Sequence, residues 1–255
     1  MRVLVGTSGW QYRDWRGRFY PEDLTQRKWL PYFSERFPTV EVNNTFYNLP
    51  KEETFVAWRE GSAAGFLIGV KASRYITHIK RLREPRDPVE LLWSRCRLLG
   101  RKLGPVLFQL PPNFAADLER LEALLGVLPE RMRAAFEFRH PSWEDEKVHH
   151  LLDGAGCALV LADRPDARVP ATVTGGWSYV RFHQGSRTGP DYPRDKLRRW
   201  AGKIAGLDAD DVYLYFNNDA GGAAIRDART LTELLADRGV DVRGPRPDEG
   251  GQDAG

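Results

Sequence analysis

Eight short apolar runs recur along the chain, separated mostly by stretches with helical periodicity. The first four are VLVGTSG from Val3, TVEVNNT from Thr39, GFLIGVKA from Gly65 and GPVLFQLP from Gly104. The second four are RAAFEFR from Arg133, CALVLAD from Cys157, WSYVRFH from Trp177 and DVYLYFNND from Asp211. Amphipathic segments at 25–36, 51–62, 88–102, 116–128 and 194–206 lie between them, and another at 222–238 follows the last. Strands joined by helical crossovers pair in parallel, and eight of them close a barrel. The pattern therefore predicts an α/β fold, a (β/α)8 TIM-type barrel. The stretch between Asp163 and Trp177 is short and holds Pro165 and Pro170, so the sixth helix is expected to be short or missing. Past Gly239 the chain turns to Gly, Pro and charge. Composition thus predicts one barrel domain over 1–239 and a disordered tail over 240–255.

Parity along each run separates two faces. In the fifth run Phe136 and Phe138 share one face, and Ala135, Glu137 and Arg139 share the other. The same split sets Val40 and Val42 against Glu41 and Asn43, Ile68 and Val70 against Gly69 and Lys71, and Phe108 and Leu110 against Gln109. Later it sets Val180 and Phe182 against Arg181 and His183, and Leu214 and Phe216 against Tyr215 and Asn217. Asp163 keeps phase with Leu159 and Leu161. One face of each run suits packing against helices; the other turns polar toward its C-terminal end. Barrel enzymes build their sites at that end. A solvated, salt-bridged lid is the plainer alternative, yet burying so many charges costs several kcal/mol per ion unless each is compensated.

Seven blocks resemble the successive signatures of the YecE-like family, domain of unknown function 72. They are GTSGWQYRDWRGRFYP, FPTVEVNNTFYNLP, FLIGVKASRYITH, GPVLFQLPPNF, FEFRHPSW, YVRFH and YFNND, and together they span roughly residues 3 to 235. The resemblance implies a (β/α) barrel, as parity does. It supplies no reaction, so the chemistry has to come from the residues.

Composition narrows the field. In 255 residues no apolar run approaches the roughly 20 needed to cross a bilayer, and MRVLVGTSGW lacks a signal peptide's apolar region and cleavage site. Cys96 and Cys157 stand alone, without a CxxC or a disulfide framework. A cytoplasmic protein with no membrane association and no evident obligate protein partner is expected. The net charge of +3 is mild, so anionic partners must be argued from local clusters.

Those clusters exist. KASRYITHIKRLREPR sets six basic residues against Glu84, and WQYRDWRGRFY interleaves aromatics with Arg13, Arg16 and Arg18. Arg187, Tyr192 and Arg194 follow the seventh run. Arginine grips phosphate bidentately and exposed aromatics stack on bases or sugars. An anionic substrate, phosphorylated or nucleic acid, is therefore the leading expectation, with hydrolase-type acid–base chemistry. A solvated basic rim with aromatics plugging the mouth is the competing account. The catalytic candidates are Glu41, Lys71, Glu137, Asp163 and His183, with Glu137 or Glu41 as acid–base group and Asp163 as orienter. Candidate substrate-binding residues are Trp10, Tyr12, Asn43, Arg74, His78, Gln109, Arg139, His140, Arg181, Tyr192, Asn217 and Asn218. Glu41, Glu137, Asp163 and His183 are also a plausible donor set for a divalent metal, Mg²⁺ or Mn²⁺, although Lys71, Arg139 and Arg181 would repel it. A metal-dependent isomerase or lyase on a small sugar-like substrate, and a non-catalytic nucleic-acid or metabolite-binding module, are the alternatives. Weaker signals add little. GTSG is not GxSxG, HPSWEDEKVHH has no HExxH, and Asp219 before the glycines of DAGGAA reads as a helix N-cap.

Overall fold

Every strand pairing of the barrel is parallel. The computed structural model describes residues 1–164, 172–183 and 189–246. Its strands are β1 (Arg2–Ser8), β2 (Thr39–Val42), β3 (Leu67–Lys71), β4 (Leu103–Gln109), β5 (Ala134–Glu137), β6 (Ala158–Asp163), β7 (Trp177–Phe182) and β8 (Asp211–Phe216). Each pairs with the next in sequence, and β8 pairs with β1 from Arg2↔Asp211 to Thr7↔Phe216. The circle closes where β1 meets β2 at Thr7↔Val40 and Ser8↔Glu41. Gly6 is needed at this junction, because a Cβ there would lie 2.3 Å from the Thr39 carbonyl oxygen.

Helices cover the outside: α1 (Trp29–Arg36), the single turn α2 (Asn44–Tyr47), α3 (Glu52–Gly61), α4 (Arg86–Cys96), α5 (Leu118–Leu125), α6 (Glu146–Gly154), α7 (Arg194–Ala205) and α8 (Ala223–Ala236). Their starts follow local chemistry, as where Asp117 and Asp145 accept backbone N–H groups ahead of α5 and α6. Among the described residues between β6 and β7 there is no helix, and Pro165 and Pro170 lie outside them. A short strand β9 (Asp241–Arg243) pairs with β1 at Arg2–Leu4, the part of that edge β2 does not reach. Arg246 then donates its backbone N–H to Arg36 O. The chain beyond Gly239 thus continues in ordered structure, contrary to the compositional boundary. Residues 247–255 lie outside the described ones. Among the described residues no helix is long and apolar enough to cross a membrane.

Two apolar regions result. The outer one packs the helices on Val40, Ile68, Phe108, Phe136, Val180 and Leu214, the face that parity assigned to helices. The inner one fills the barrel with Leu4, Leu107, Ala135, Val160, Trp177, Tyr179, Tyr213 and Tyr215. The Tyr215 ring fits because β3 places a glycine, Gly69, opposite its hydroxyl. A Cβ on Gly69 would come 3.1 Å from the Tyr215 hydroxyl, which instead meets Thr39 Oγ1 at 2.8 Å.

The β1–α1 loop departs from expectation. Trp10, Trp15, Phe19 and Tyr20 are buried, not displayed at the mouth. Tyr20 stacks on Trp29 at 4.8 Å, and Trp10 meets Trp58 edge-on at 5.9 Å. Each such ring gains about 1.5–3 kcal/mol from burial, more than an exposed stacking platform would retain in the absence of ligand. These aromatics are core.

Candidate active site

Above the tyrosine layer the lumen becomes ionic. Arg181, next inward residue after Tyr179 on β7, is 1% exposed yet carries a full charge. It is held by acids from two other strands: Nη2 lies 2.8 Å from Glu41 Oε1 and Nη1 lies 2.7 Å from Glu137 Oε2. Nη1 also donates to Gln109 Oε1 at 3.2 Å. Glu41 accepts from Ser8 Oγ at 2.7 Å and from the Tyr179 hydroxyl at 2.5 Å, and Glu137 accepts from Arg139 Nε at 3.0 Å. Burial alone would raise both carboxyls. The nearby Arg181 guanidinium outweighs it, so Glu137 sits well below, and Glu41 below, the usual range.

Over this floor opens a cleft of about 570 Å³, the size of a small-molecule site. Lys71, Arg74, Arg139 and Arg181 line it with His78, His183, Tyr12, Asn43, Gln109 and Asn217. Among the described residues neither Lys71 nor Arg74 makes a salt bridge. Lys71 Nζ lies 4.2 Å from the centre of the Phe46 ring. Burial and the neighbouring Arg181 pull its pKa down to about 8, against the opposing pull of Glu41 and Glu137. His78 meets the same ring edge-on at 4.9 Å; burial and Lys71 push it down to about 4, so it is neutral. His183, its Nε2 3.6 Å from Glu137 Oε1, is likewise lowered by burial.

Local backbone sets some of these positions. His78 belongs to a π-helical turn, Tyr75–Ile79, a feature frequent at functional sites. Beyond it Arg81, Leu82 and Glu84 hold φ of 48°, 63° and 45°, the left-handed region that costs such residues roughly 1–2 kcal/mol each. Leu82, 1% exposed, pins the loop, and Arg81 reaches Asn113. Lys80 pairs with Glu84 at 2.5 Å.

The cleft therefore gathers Tyr12, Asn43, Lys71, Arg74, His78, Gln109, Arg139, Arg181, His183 and Asn217, with Glu41 and Glu137 beneath. Five candidates lie elsewhere. Asp163 turns outward, as its phase with Leu159 and Leu161 implies, and pairs with Lys196 of α7 at 2.6 Å. His140 caps the turn Pro141–Trp143, its Nδ1 accepting from Ser142 N at 3.2 Å. Trp10 is core. Asn218 Nδ2 donates to Asp227 Oδ2 at 2.6 Å, the atom that also accepts from Tyr192 N at 3.0 Å; both residues brace the β8 loop. Arg187 falls outside the described residues. Asp219 occupies an N-cap position without a side-chain capping bond, and burial raises its carboxyl to about 7.

The proposed metal donors do not fit a cation. Among the described residues no three His, Cys, Asp or Glu side chains are grouped to hold a metal ion. Glu41 and Glu137 spend their oxygens on Arg181, Arg139, Ser8 and Tyr179, and Asp163 is on the opposite face of its strand. Reading the sequence missed Phe46 and Tyr47, which line the cleft from α2, and Tyr179, the hydroxyl partner of Glu41. Tyr179 was accessible in principle, since it keeps phase with Arg181 and His183.

Comparison with known proteins agrees with this architecture. A family model described as protein of unknown function DUF72 matches residues 4–250. The UPF0759 protein YunF of Bacillus subtilis (strain 168) is 27% identical, covering 91% of this chain and 94% of that protein. The UPF0759 protein YecE of Escherichia coli (strain K12) is 31% identical over 63% of this chain and 59% of its own length. A crystal structure of a DUF72 family protein from Thermotoga maritima MSB8 superposes with a TM-score of 0.83 at 28% identity, covering 92% of this chain and all of that one. A DUF72 family protein from Enterococcus faecalis V583 gives 0.78 at 17% identity, over 98% of this chain, and shows the fold alone. With the match running almost from end to end of the barrel, the chain belongs to the DUF72 family.

Proposed function

We propose that this barrel is an enzyme acting on a small anionic substrate, phosphorylated or carboxylated, by acid–base chemistry in the cleft. One observation carries the reading: cations project into the opening while both acids lie buried beneath, their oxygens already occupied. A cleft built this way favours an incoming anion and offers a cation little. Arg139 and Arg74 would grip the anion. Glu41 and Glu137, locked as carboxylates, would orient Arg181 rather than exchange protons. Lys71 and His183 are then the groups left to react with the substrate, the amine with a pKa of about 8 and the imidazole, its pKa lowered by burial, facing the cleft.

A second reading has its own support. Tyr47 is 73% exposed and Tyr75 45%, both close in sequence to cleft residues, and rings so placed can stack on the bases of a nucleic acid whose phosphate enters the cleft. The burial of the β1–α1 aromatics takes away most of the platform, so the small anion comes first.

Calorimetric titration with inorganic phosphate and small phosphorylated or carboxylated compounds, beside uncharged analogues, tests the proposal. Anions should bind and the analogues should not. Arg139→Gln should weaken anion binding by at least about tenfold, the loss of one charged hydrogen bond. Equal affinity for charged and neutral compounds would refute it.

A further inference from the structure

We propose that Lys71 is a covalent nucleophile, condensing with the carbonyl of an anionic aldehyde or ketone to form an imine in the cleft. The inference rests on the anion-binding reading above and deepens it by naming the reacting group.

The geometry sets Lys71 apart from lysines that are already engaged. Lys80 pairs with Glu84. Lys102 donates to Arg59 O, Ser62 O and Ser62 Oγ at 2.6–3.0 Å. Lys196 pairs with Asp163. Lys71 ends a barrel strand, faces the cleft and, among the described residues, has no carboxylate within ion-pair distance. Its amine rests against the Phe46 ring instead. A lysine that only neutralised charge would be expected to reach Glu41 or Glu137. Here Arg181 and Arg139 have taken those acids, leaving the amine unpaired. Arg181 on β7 and Arg139 beyond β5 disfavour its proton, whereas Glu41 on β2 and Glu137 on β5 favour it. Burial brings the pKa down to about 8, so far more of the amine is neutral and nucleophilic than in an exposed lysine, the usual route by which a lysine becomes reactive.

The chemistry balances without an added redox partner. The neutral amine's lone pair forms a C–N bond to the carbonyl carbon, and the π pair moves to oxygen. That oxygen takes the proton released from nitrogen, giving a carbinolamine. A second proton lets it depart as water while the nitrogen lone pair closes C=N. His183, facing the same cleft, is placed to relay these protons. The anionic group, held by Arg74 and Arg139, fixes the carbonyl beside Lys71.

Borohydride trapping reads the imine directly, since hydride reduction makes the C–N bond permanent. The wild-type protein would be incubated with pyruvate, dihydroxyacetone phosphate or neutral dihydroxyacetone, reduced, digested and mapped by mass spectrometry. The expected result is one adduct, on Lys71, with an anionic probe. The neutral probe should label it at least about tenfold less, having lost a charged contact. Labelling should rise with pH through about 8 as the amine loses its proton. Lys71→Arg should keep the charge and lose the adduct, whereas Lys196→Arg should retain it. No Lys71 adduct with any probe, or an even spread over surface lysines, would overturn the inference. Inorganic phosphate titrated in parallel separates the two failures: binding without trapping sinks the imine alone, and absent binding sinks the anion cleft too.

Discussion

Arg181 Nη2 and Glu41 Oε1 lie 2.8 Å apart in a lumen where neither residue is more than 1% exposed. The acid arises on β2 and the guanidinium on β7, so the pair spans the barrel and exists only once the sheet has closed. Glu137 completes the arrangement from β5. The arrangement forms the floor of the cleft, with the charge of both acids already matched by arginine.

Removing the guanidinium should therefore be costly. Arg181→Met leaves the buried Glu41 with only hydroxyl partners and Glu137 with Arg139 alone, a change expected to cost about 3–5 kcal/mol. Denaturant unfolding measures it. A loss below about 1 kcal/mol, typical of an exposed pair, would mean the pair is solvated.

The same ions shape the pH response. Glu137 and Glu41 titrate lower in the fold than in the unfolded chain, so their contribution is complete above about pH 4.3 and is lost as pH falls through the folded values. Lys71 acts in another window. Its folded pKa of about 8 lies below its unfolded value of about 10.4, so between them the unfolded state binds more protons and stability climbs with pH. Urea midpoints from about pH 8 to 10 should rise more steeply in the parent than in Lys71→Met. Parallel slopes would place the lysine in an ordinary solvated environment.

Truncation separates sequence from structure. Cutting after Gly239 removes β9, its pairing with β1 and the Arg246–Arg36 hydrogen bond. The melting temperature should fall by several degrees, given about 4–8 °C per kcal/mol in small domains and somewhat less in one this long. An unchanged melting temperature would show that composition had marked the boundary correctly.

The barrel was legible because alternation along a strand depends only on chain geometry. Val40, Val42, Phe136 and Phe138 announce their face, and Glu41, Glu137 and Arg181 announce theirs. Asp163 shows how position can mislead. It ends its strand where an active-site residue would, but its phase with Leu159 and Leu161 carried the decisive information, and Lys196 holds it on that side. Loop residues gave less, because no period governs them. Trp15 and Tyr20 looked like a stacking surface until their packing on Phe33 and Trp29 placed them in the core. β9 was hidden for a different reason: three residues, Asp241–Arg243, are too few for a pattern, and only the open stretch of β1 edge makes them a strand.

The central claim is that the cleft above Arg181 receives an anion, and anomalous diffraction from crystals soaked in selenate locates one directly. The expected result is a selenium peak within the cleft, in contact with Arg139, Arg74 or Lys71. Peaks confined to the 80–86 loop and other surface cations, with none in the cleft, would contradict it.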